Sequence, residues 1–92
     1  MQTVIESVEP AQLTASANIC SGEGRLAGIF VSNATAATLT IYDDAAAGTA
    51  RKIVDTFTLT ASSYYKLPFR FYLGCNIVIA GAASVTVGFA HA

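Results

Sequence analysis

Hydrophobic and polar residues alternate along most of this chain, and this period of two constrains the fold more than any other feature. Leu39 and Ile41 alternate with threonine and tyrosine over residues 38–42, and residues 84–89 repeat the pattern with valine and phenylalanine. Successive side chains of a β-strand point to opposite faces of the sheet, so this alternation is typical of half-buried strands. Because no segment has the spacing of an amphipathic helix, the sequence predicts an all-β fold.

Turn residues divide the alternating segments into short strands. The predicted strands cover residues 3–8, 26–31, 38–42, 53–59, 69–72, 76–80 and 84–89. Residues 21–24, 33–37 and 43–48, together with Gly81, are predicted as turns or breaks. About seven or eight short strands in so small a chain predict a single antiparallel β-sandwich or jelly roll. One domain covering residues 1–92 is expected, because a second would leave neither half enough chain for a core.

The chain has more apolar side chains than so small a domain can enclose. It is 53% hydrophobic and only 12% charged, whereas folding at this size buries roughly 60–65% of the surface of the unfolded chain. The remaining apolar surface must form exposed patches, and large patches of this kind usually mark interfaces. We therefore expect the protein to form a homo-oligomer or to dock onto a larger assembly.

The apolar content does not indicate a membrane protein. A spanning helix needs about 20 consecutive apolar residues, and polar residues and glycine interrupt the best stretch, residues 75–87. The first residues lack the basic and apolar segments of a signal peptide, so we expect the protein to stay in the compartment where it is made. The net charge of −1, without a basic stripe, also argues against a nucleic-acid partner.

The two cysteines, Cys20 and Cys75, do not form a disulfide framework. They could pair across a sandwich, but a protein that is not secreted meets a reducing compartment. Free cysteine is among the residue types most often buried. We therefore predict two separate buried thiols and keep the disulfide as the alternative.

No catalytic constellation is recognisable in the sequence. The one histidine, His91, precedes the last residue, and chain ends usually fray, so a catalytic base there would lack a rigid frame. Serine or cysteine nucleophiles paired with histidine therefore depend on His91 alone. We predict that the protein is not an enzyme and has no cofactor; an active site completed between subunits by Asp43, Asp44 or His91 is the only alternative.

The adjacent carboxylates Asp43 and Asp44 precede a loop of small residues that ends at Gly48. A weak calcium site is one interpretation, because Ca²⁺ takes six to eight oxygen ligands. The loop lacks the alternating ligand positions of such a site, and aspartate at the end of a strand more often accepts hydrogen bonds from the backbone of the turn. We therefore predict a turn and no metal site.

Residues 64–72 are the strongest candidate interface. They contain five of the nine aromatic residues, together with two cations, and aromatic and arginine side chains dominate the centres of interfaces. Strand alternation predicts that Phe69 and Phe71 point into the core. The predicted partner contacts are Tyr64, Tyr65, Lys66, Arg70 and Tyr72, with Arg70 pairing with a carboxylate of a neighbouring subunit. The alternative is that the tyrosines close one edge of the sandwich.

Five segments in order, residues 24–31, 38–43, 48–49, 65–69 and 74–79, resemble small structural proteins of tailed bacteriophages, in particular capsid cement or decoration proteins. The resemblance spans residues 24–89. It implies a β-sandwich, commonly a trimer, that sits on the capsid surface and binds the major capsid protein or other virion proteins without a cofactor. The expected location is the virion, after synthesis in the host cytoplasm.

A second class of function is a ligand-binding module, such as a carbohydrate-recognising sandwich of a tail fibre or cell surface. Sugar sites use an exposed aromatic platform beside polar side chains. Tryptophan is absent, so Tyr64, Tyr65 and Tyr72 would have to form that platform.

Overall fold

The computed structural model describes residues 9–91, and every regular element in this range is a β-strand. The strands are β1 (Glu9–Leu13), β2 (Ala17–Ser21), β3 (Gly24–Tyr42), β4 (Lys52–Thr58), β5 (Ser63–Lys66), β6 (Arg70–Phe71) and β7 (Gly74–His91). They form one antiparallel sheet of order β1–β7–β3–β4, in which β2 also pairs with β7 and both β5 and β6 pair with β3. This confirms the all-β, antiparallel prediction. The strand predicted at residues 3–8 lies outside the described range. Residues 9–91 contain no helix that is long and apolar enough to cross a membrane.

Two strands dominate the sheet, and their length corrects the prediction of uniformly short strands. Strand β3 has 19 residues and β7 has 18. Residues 33–37 and Gly81, predicted as breaks, lie inside these strands and face each other. Between Thr35 and Thr38 two residues of β3 stand opposite Gly81, which is a β-bulge, and both sides have positive φ angles: 48° at Ala36 and 91° at Gly81. A bulge bends a strand without ending its pairing.

The bend divides the sheet into two arms that enclose one core. The first arm joins β1, β5 and β6 to the beginning of β3 and the end of β7, and the second joins β2 and β4 to the other halves of the two long strands. Fully buried side chains from both arms belong to a single cluster, including Ile29 and Val87 of the first arm and Leu39 and Ile77 of the second. Within residues 9–91 the core therefore lies between the arms of one bent sheet, and the predicted sandwich of two separate sheets is not confirmed.

Strands β1 and β2 were not predicted, because contacts made elsewhere in the chain hold them. In β1, Pro10 stands opposite Gly88; proline lacks the N–H that a central strand needs but is tolerated on an edge strand. In β2, the Asn18 side-chain amide donates to the carbonyls of Asp44, at 2.9 Å, and Ala46, at 2.7 Å. Local alternation carries no signal for either contact.

Candidate binding site

A cleft of about 670 Å³ opens where β5, β6 and the end of β7 meet the beginning of β3. This volume lies within the range of known ligand sites, which is about 300–1,000 Å³. Ten residues line the cleft: Gly24, Arg25, Leu26, Ala27, Tyr64, Lys66, Pro68, Phe69, Arg70 and His91. The antiparallel pairing of β5 and β6 with β3 thus places much of the predicted interface segment, residues 64–72, around one concave surface.

Backbone hydrogen bonds fix the wall of the cleft between β5 and β6. The Leu26 N–H donates to the Phe69 carbonyl at 2.7 Å, and the Leu67 N–H donates to the Ala27 carbonyl at 3.2 Å. Residues 67–69 are not in strand conformation, and the Phe69 N–H bonds back to the Leu67 carbonyl. This local turn breaks the alternation: Phe71 is fully buried as predicted, whereas Phe69 is 44% exposed. The prediction that Phe69 points inward is therefore wrong.

The charged residues of the cleft are all basic. Arg25, Lys66 and Arg70 line it, which are three of the five lysines and arginines of the chain. No aspartate or glutamate is among the lining residues of the described range. The charged side chains that line the cleft are therefore basic, and the Glu23 carboxylate that pairs with Arg70 offsets part of their charge.

Arg70 is held in place by two contacts within its own chain. Its guanidinium forms an ion pair with the Glu23 carboxylate and lies 5.4 Å from the centre of the Tyr72 ring. The hydrogen bond and the negative charge of Glu23 raise the pKa of Arg70 further. The carboxylate predicted to come from a neighbouring subunit is thus supplied by Glu23, and Arg70 is oriented before any partner binds.

The tyrosines of the predicted interface lie on different faces of the sheet. Tyr64 is 60% exposed and Tyr72 is 62% exposed. The Tyr64 ring crosses the backbone of Gly28, where a Cβ would collide with the tyrosine hydroxyl. Phe30, which stands opposite Tyr64 on β3, is also exposed. Sequence analysis missed Phe30 because residues 26–31 form a continuous apolar run, without the alternation that distinguishes the two faces of a strand.

Tyr65 faces away from this surface and packs internally. Its ring meets Phe57 of β4 edge to face, with ring centres 5.1 Å apart. Its hydroxyl accepts the Thr60 N–H at 3.1 Å and donates to the Thr58 carbonyl at 3.4 Å. Tyr65 therefore connects the two arms of the sheet, and we remove it from the candidate binding surface.

Cys20, His91 and Glu9 form a chain of side chains beside the cleft. The Cys20 Sγ lies 3.4 Å from the His91 Nδ1, and the His91 Nε2 lies 3.0 Å from a Glu9 carboxylate oxygen. His91 is the last residue of β7, where it stands opposite Gly24 of β3. The order of these side chains, thiol, imidazole and carboxylate, resembles that of a catalytic nucleophile, base and orienting acid. Cys20, however, is buried and does not line the cleft. Burial and the charge of Glu9 also raise the pKa of the Cys20 thiol. An activated thiol has a lowered pKa, so these contacts fit a structural link between β1, β2 and β7.

The two cysteines are free and buried, which confirms the prediction of separate thiols. Cys20 and Cys75 stand opposite each other in the β2–β7 pair. Burial raises the pKa of the Cys75 thiol to about 12, and the nearby Cys20 and Asp43 groups act in the same direction. Cys75 therefore stays protonated at neutral pH, where a thiol is a poor nucleophile.

Asp43 is almost fully buried and holds the loop that joins β6 to β7. Its carboxylate accepts backbone N–H groups from Tyr72, Leu73 and Gly74 at 2.7–3.2 Å. Burial by itself would raise the pKa of Asp43, but these hydrogen bonds and the positive charge of Arg51 outweigh burial and lower it. The carboxylate therefore stays ionised and positions the loop that carries Tyr72.

Asp44 closes the neighbouring loop on itself. One carboxylate oxygen accepts the N–H of Ala46 at 2.8 Å and that of Gly48 at 3.1 Å. These contacts are those of the predicted turn. No group of three or more histidine, cysteine, aspartate or glutamate side chains within residues 9–91 is arranged to hold a metal ion.

Comparisons of the chain with protein-family models, with curated proteins and with solved structures found no match. No relative therefore indicates an activity or a partner.

Proposed function

We propose that this protein is a structural binding protein which, in keeping with the resemblance described above, decorates a bacteriophage capsid and stabilises the shell. The observation that carries the proposal is the grouping of exposed aromatic and basic side chains at one cleft: Tyr64, Lys66, Phe69 and Arg70 line it, and the exposed Tyr72 ring lies beside Arg70. Aromatic and arginine side chains supply most of the energy at the centres of protein interfaces. The partner in this proposal is the major capsid protein or another virion protein.

The surface is largely ordered before binding, which favours a docking role. Strands β5 and β6 carry Tyr64, Lys66 and Arg70 on the sheet, and contacts with Glu23 and Tyr72 orient the arginine. Ordering mobile side chains costs about 0.5–1.5 kcal/mol for each one that a complex immobilises. A preformed surface avoids much of this cost.

A protein that binds only the assembled shell stabilises that shell by mass action, and many copies add their effects. Shells assembled with the protein should therefore resist heating or osmotic shock better than shells without it. A Tyr64→Ala/Lys66→Ala variant should lose most of this protection, whereas the control Lys52→Ala/Asp55→Ala, on β4, should retain it. Equal disruption temperatures with and without the protein would show that it does not act as a cement.

The proposal includes a homotrimer, and the number three comes from the resemblance alone. The accessible surface of 5270 Å² is close to the roughly 5,050 Å² expected for a monomer of 9.5 kDa, so chain size does not require an oligomer. The support is the pair of large exposed side chains that lie outside the proposed partner surface, Phe30 and Leu73. Burying apolar surface gains about 25 cal/mol per Å², and closed rotational symmetry covers it without open-ended growth.

Light scattering should give a mass of about 28.5 kDa, which is three times the chain mass of 9.5 kDa. A mass of 9.5 kDa at micromolar concentration would contradict the oligomer and leave the exposed side chains to be covered by the shell. The Phe30→Ser variant serves as a check, because it should shift a real trimer towards the monomer. An exposed, distant change such as Thr49→Ser should not.

Carbohydrate binding is the second candidate, because Tyr64 and Tyr72 are exposed enough to stack on a sugar ring. Sugar hydroxyls donate hydrogen bonds as well as accept them. Within the described chain, however, the lining of the cleft includes no aspartate, glutamate, asparagine or glutamine to accept them. A protein partner is therefore favoured over a carbohydrate. Reproducible binding to neutral glycans on an array would instead favour the carbohydrate.

A further inference from the structure

The charged groups of the cleft can only donate hydrogen bonds. Lysine and arginine carry N–H donors and no acceptor, whereas an ionised carboxylate only accepts. Lys66 and Arg70 stand on the two short strands at one side of the cleft, and Arg25 lies opposite Arg70 in the β3–β6 pair. A concave surface on which charges of one sign predominate concentrates ligands of the opposite sign. The ligand that fits is therefore an acceptor-rich anion.

The pairing of Arg70 with Glu23 does not use up its capacity to bind. A guanidinium has five N–H donors in a fixed fork, and the Arg70 side chain is 58% exposed although it contacts Glu23. The pair holds the fork in one orientation. Charge-assisted hydrogen bonds to such a fork are among the stronger polar contacts in proteins.

The apolar residues in the lining of the cleft favour an acidic peptide over a nucleic acid as the anionic ligand. The exposed side chains of Pro68 and Phe69 line the cleft beside the cations, which suits a ligand chain that carries both apolar and acidic side chains. A nucleic acid instead needs cations that follow a row of phosphates. The two cations outside the cleft, Arg51 and Lys52, lie at the start of β4, which pairs with the other half of β3.

We propose that the cleft binds an acidic segment of a partner protein, with glutamate or aspartate carboxylates on Lys66 and Arg70 and an apolar side chain against Phe69. The inference rests on the proposed binding function and names the class of partner surface that the cleft recognises. Because the contacts are ionic and exposed, binding weakens as salt is added.

The test is calorimetric titration at low salt with a capped peptide of six glutamates, with a peptide of six glutamines as its uncharged match. The wild type should bind the glutamate peptide and not the glutamine peptide. Lys66→Gln should weaken binding about tenfold, the effect of losing one charge-assisted hydrogen bond. Lys52→Gln removes the same charge from β4, outside the cleft, and should leave the affinity unchanged. Both lysines are exposed, so both variants should keep the thermal stability of the wild type.

Three results would overturn the inference: no binding of the glutamate peptide, equal binding of the two peptides, or equal affinity of Lys66→Gln and the wild type. Binding of tripolyphosphate or a sulfated oligosaccharide without binding of the glutamate peptide would show that the ligand class is wrong. Sedimentation of the protein with assembled shells separates the two proposals. Shell binding that is unaffected by Lys66→Gln, with no peptide binding, refutes the cleft inference alone; peptide binding without shell binding refutes the decoration function alone.

Discussion

Replacing Asp43 with alanine should lower the free energy of unfolding by about 3 kcal/mol or more. The carboxylate accepts hydrogen bonds from three consecutive backbone N–H groups, of Tyr72, Leu73 and Gly74, and is almost fully buried. A hydrogen bond to a charged group contributes roughly 1.5–3 kcal/mol, and buried donors left without an acceptor add a further cost. Urea unfolding followed by circular dichroism measures the change.

The same carboxylate should make stability depend on pH in the acid range. Hydrogen bonds in the folded state hold the pKa of Asp43 below its ordinary value of 3.8, in spite of its burial. A lowered folded-state pKa means that the unfolded chain binds the proton more tightly. The stabilisation is therefore present above 3.8 and is lost as the pH falls through the folded-state pKa. Asp43→Asn should flatten this part of the stability curve.

Asp55 provides the matched control for both measurements. Its carboxylate pairs with Lys52 at 3.0 Å, but its side chain is 82% exposed. Exposed ion pairs contribute little to stability, so the urea midpoint of Asp55→Ala should stay close to that of the wild type. Equal losses for the Asp43 and Asp55 variants would show that the loop after β6 does not depend on the buried carboxylate.

The fold class could be predicted from the sequence because alternation is a local property of a strand. The path of the long strands could not, because a β-bulge and a chain reversal use the same residue types. Residues 33–37 and Gly81 resemble turns when each is considered alone. They become a single bend only when β3 pairs with β7 and places Ala36 beside Gly81. That pairing joins residues more than 40 positions apart and leaves no local signal.

The candidate site was also predicted only in part from the sequence. The composition of residues 64–72 indicated an exposed aromatic and basic surface, and Tyr64, Lys66, Arg70 and Tyr72 are exposed. Arg25 and His91 were missed as members of this site because strand pairing, and not sequence spacing, brings them to the cleft. Phe69 was misplaced because a turn at residues 67–69 interrupts the alternation.

Replacing Phe71 with alanine should lower the free energy of unfolding by about 3–5 kcal/mol, the usual cost of removing a buried phenylalanine ring. Phe71 is fully buried, and its ring packs against the backbone of Gly24, its partner in β3. Strand β6 has only two residues, so few other contacts hold it. Small domains have a total stability of about 5–15 kcal/mol, and the loss is therefore a large fraction of the whole. Urea unfolding measures it.

Phe69→Ala is the control for Phe71→Ala, because it removes the same ring two residues earlier in the chain. Phe69 is 44% exposed on the wall of the cleft, so its removal leaves little cavity and should cost about 1 kcal/mol or less. Phe71→Leu extends the comparison if the alanine variant does not fold: it keeps most of the buried volume and should cost roughly 1–2 kcal/mol. Phe69→Ala should also affect binding, because it removes the proposed apolar contact in the cleft. We expect it to weaken the binding of an acidic peptide that carries an apolar side chain. If Phe69→Ala destabilises the fold as much as Phe71→Ala, then the ring of Phe69 belongs to the core and the cleft wall described here is wrong.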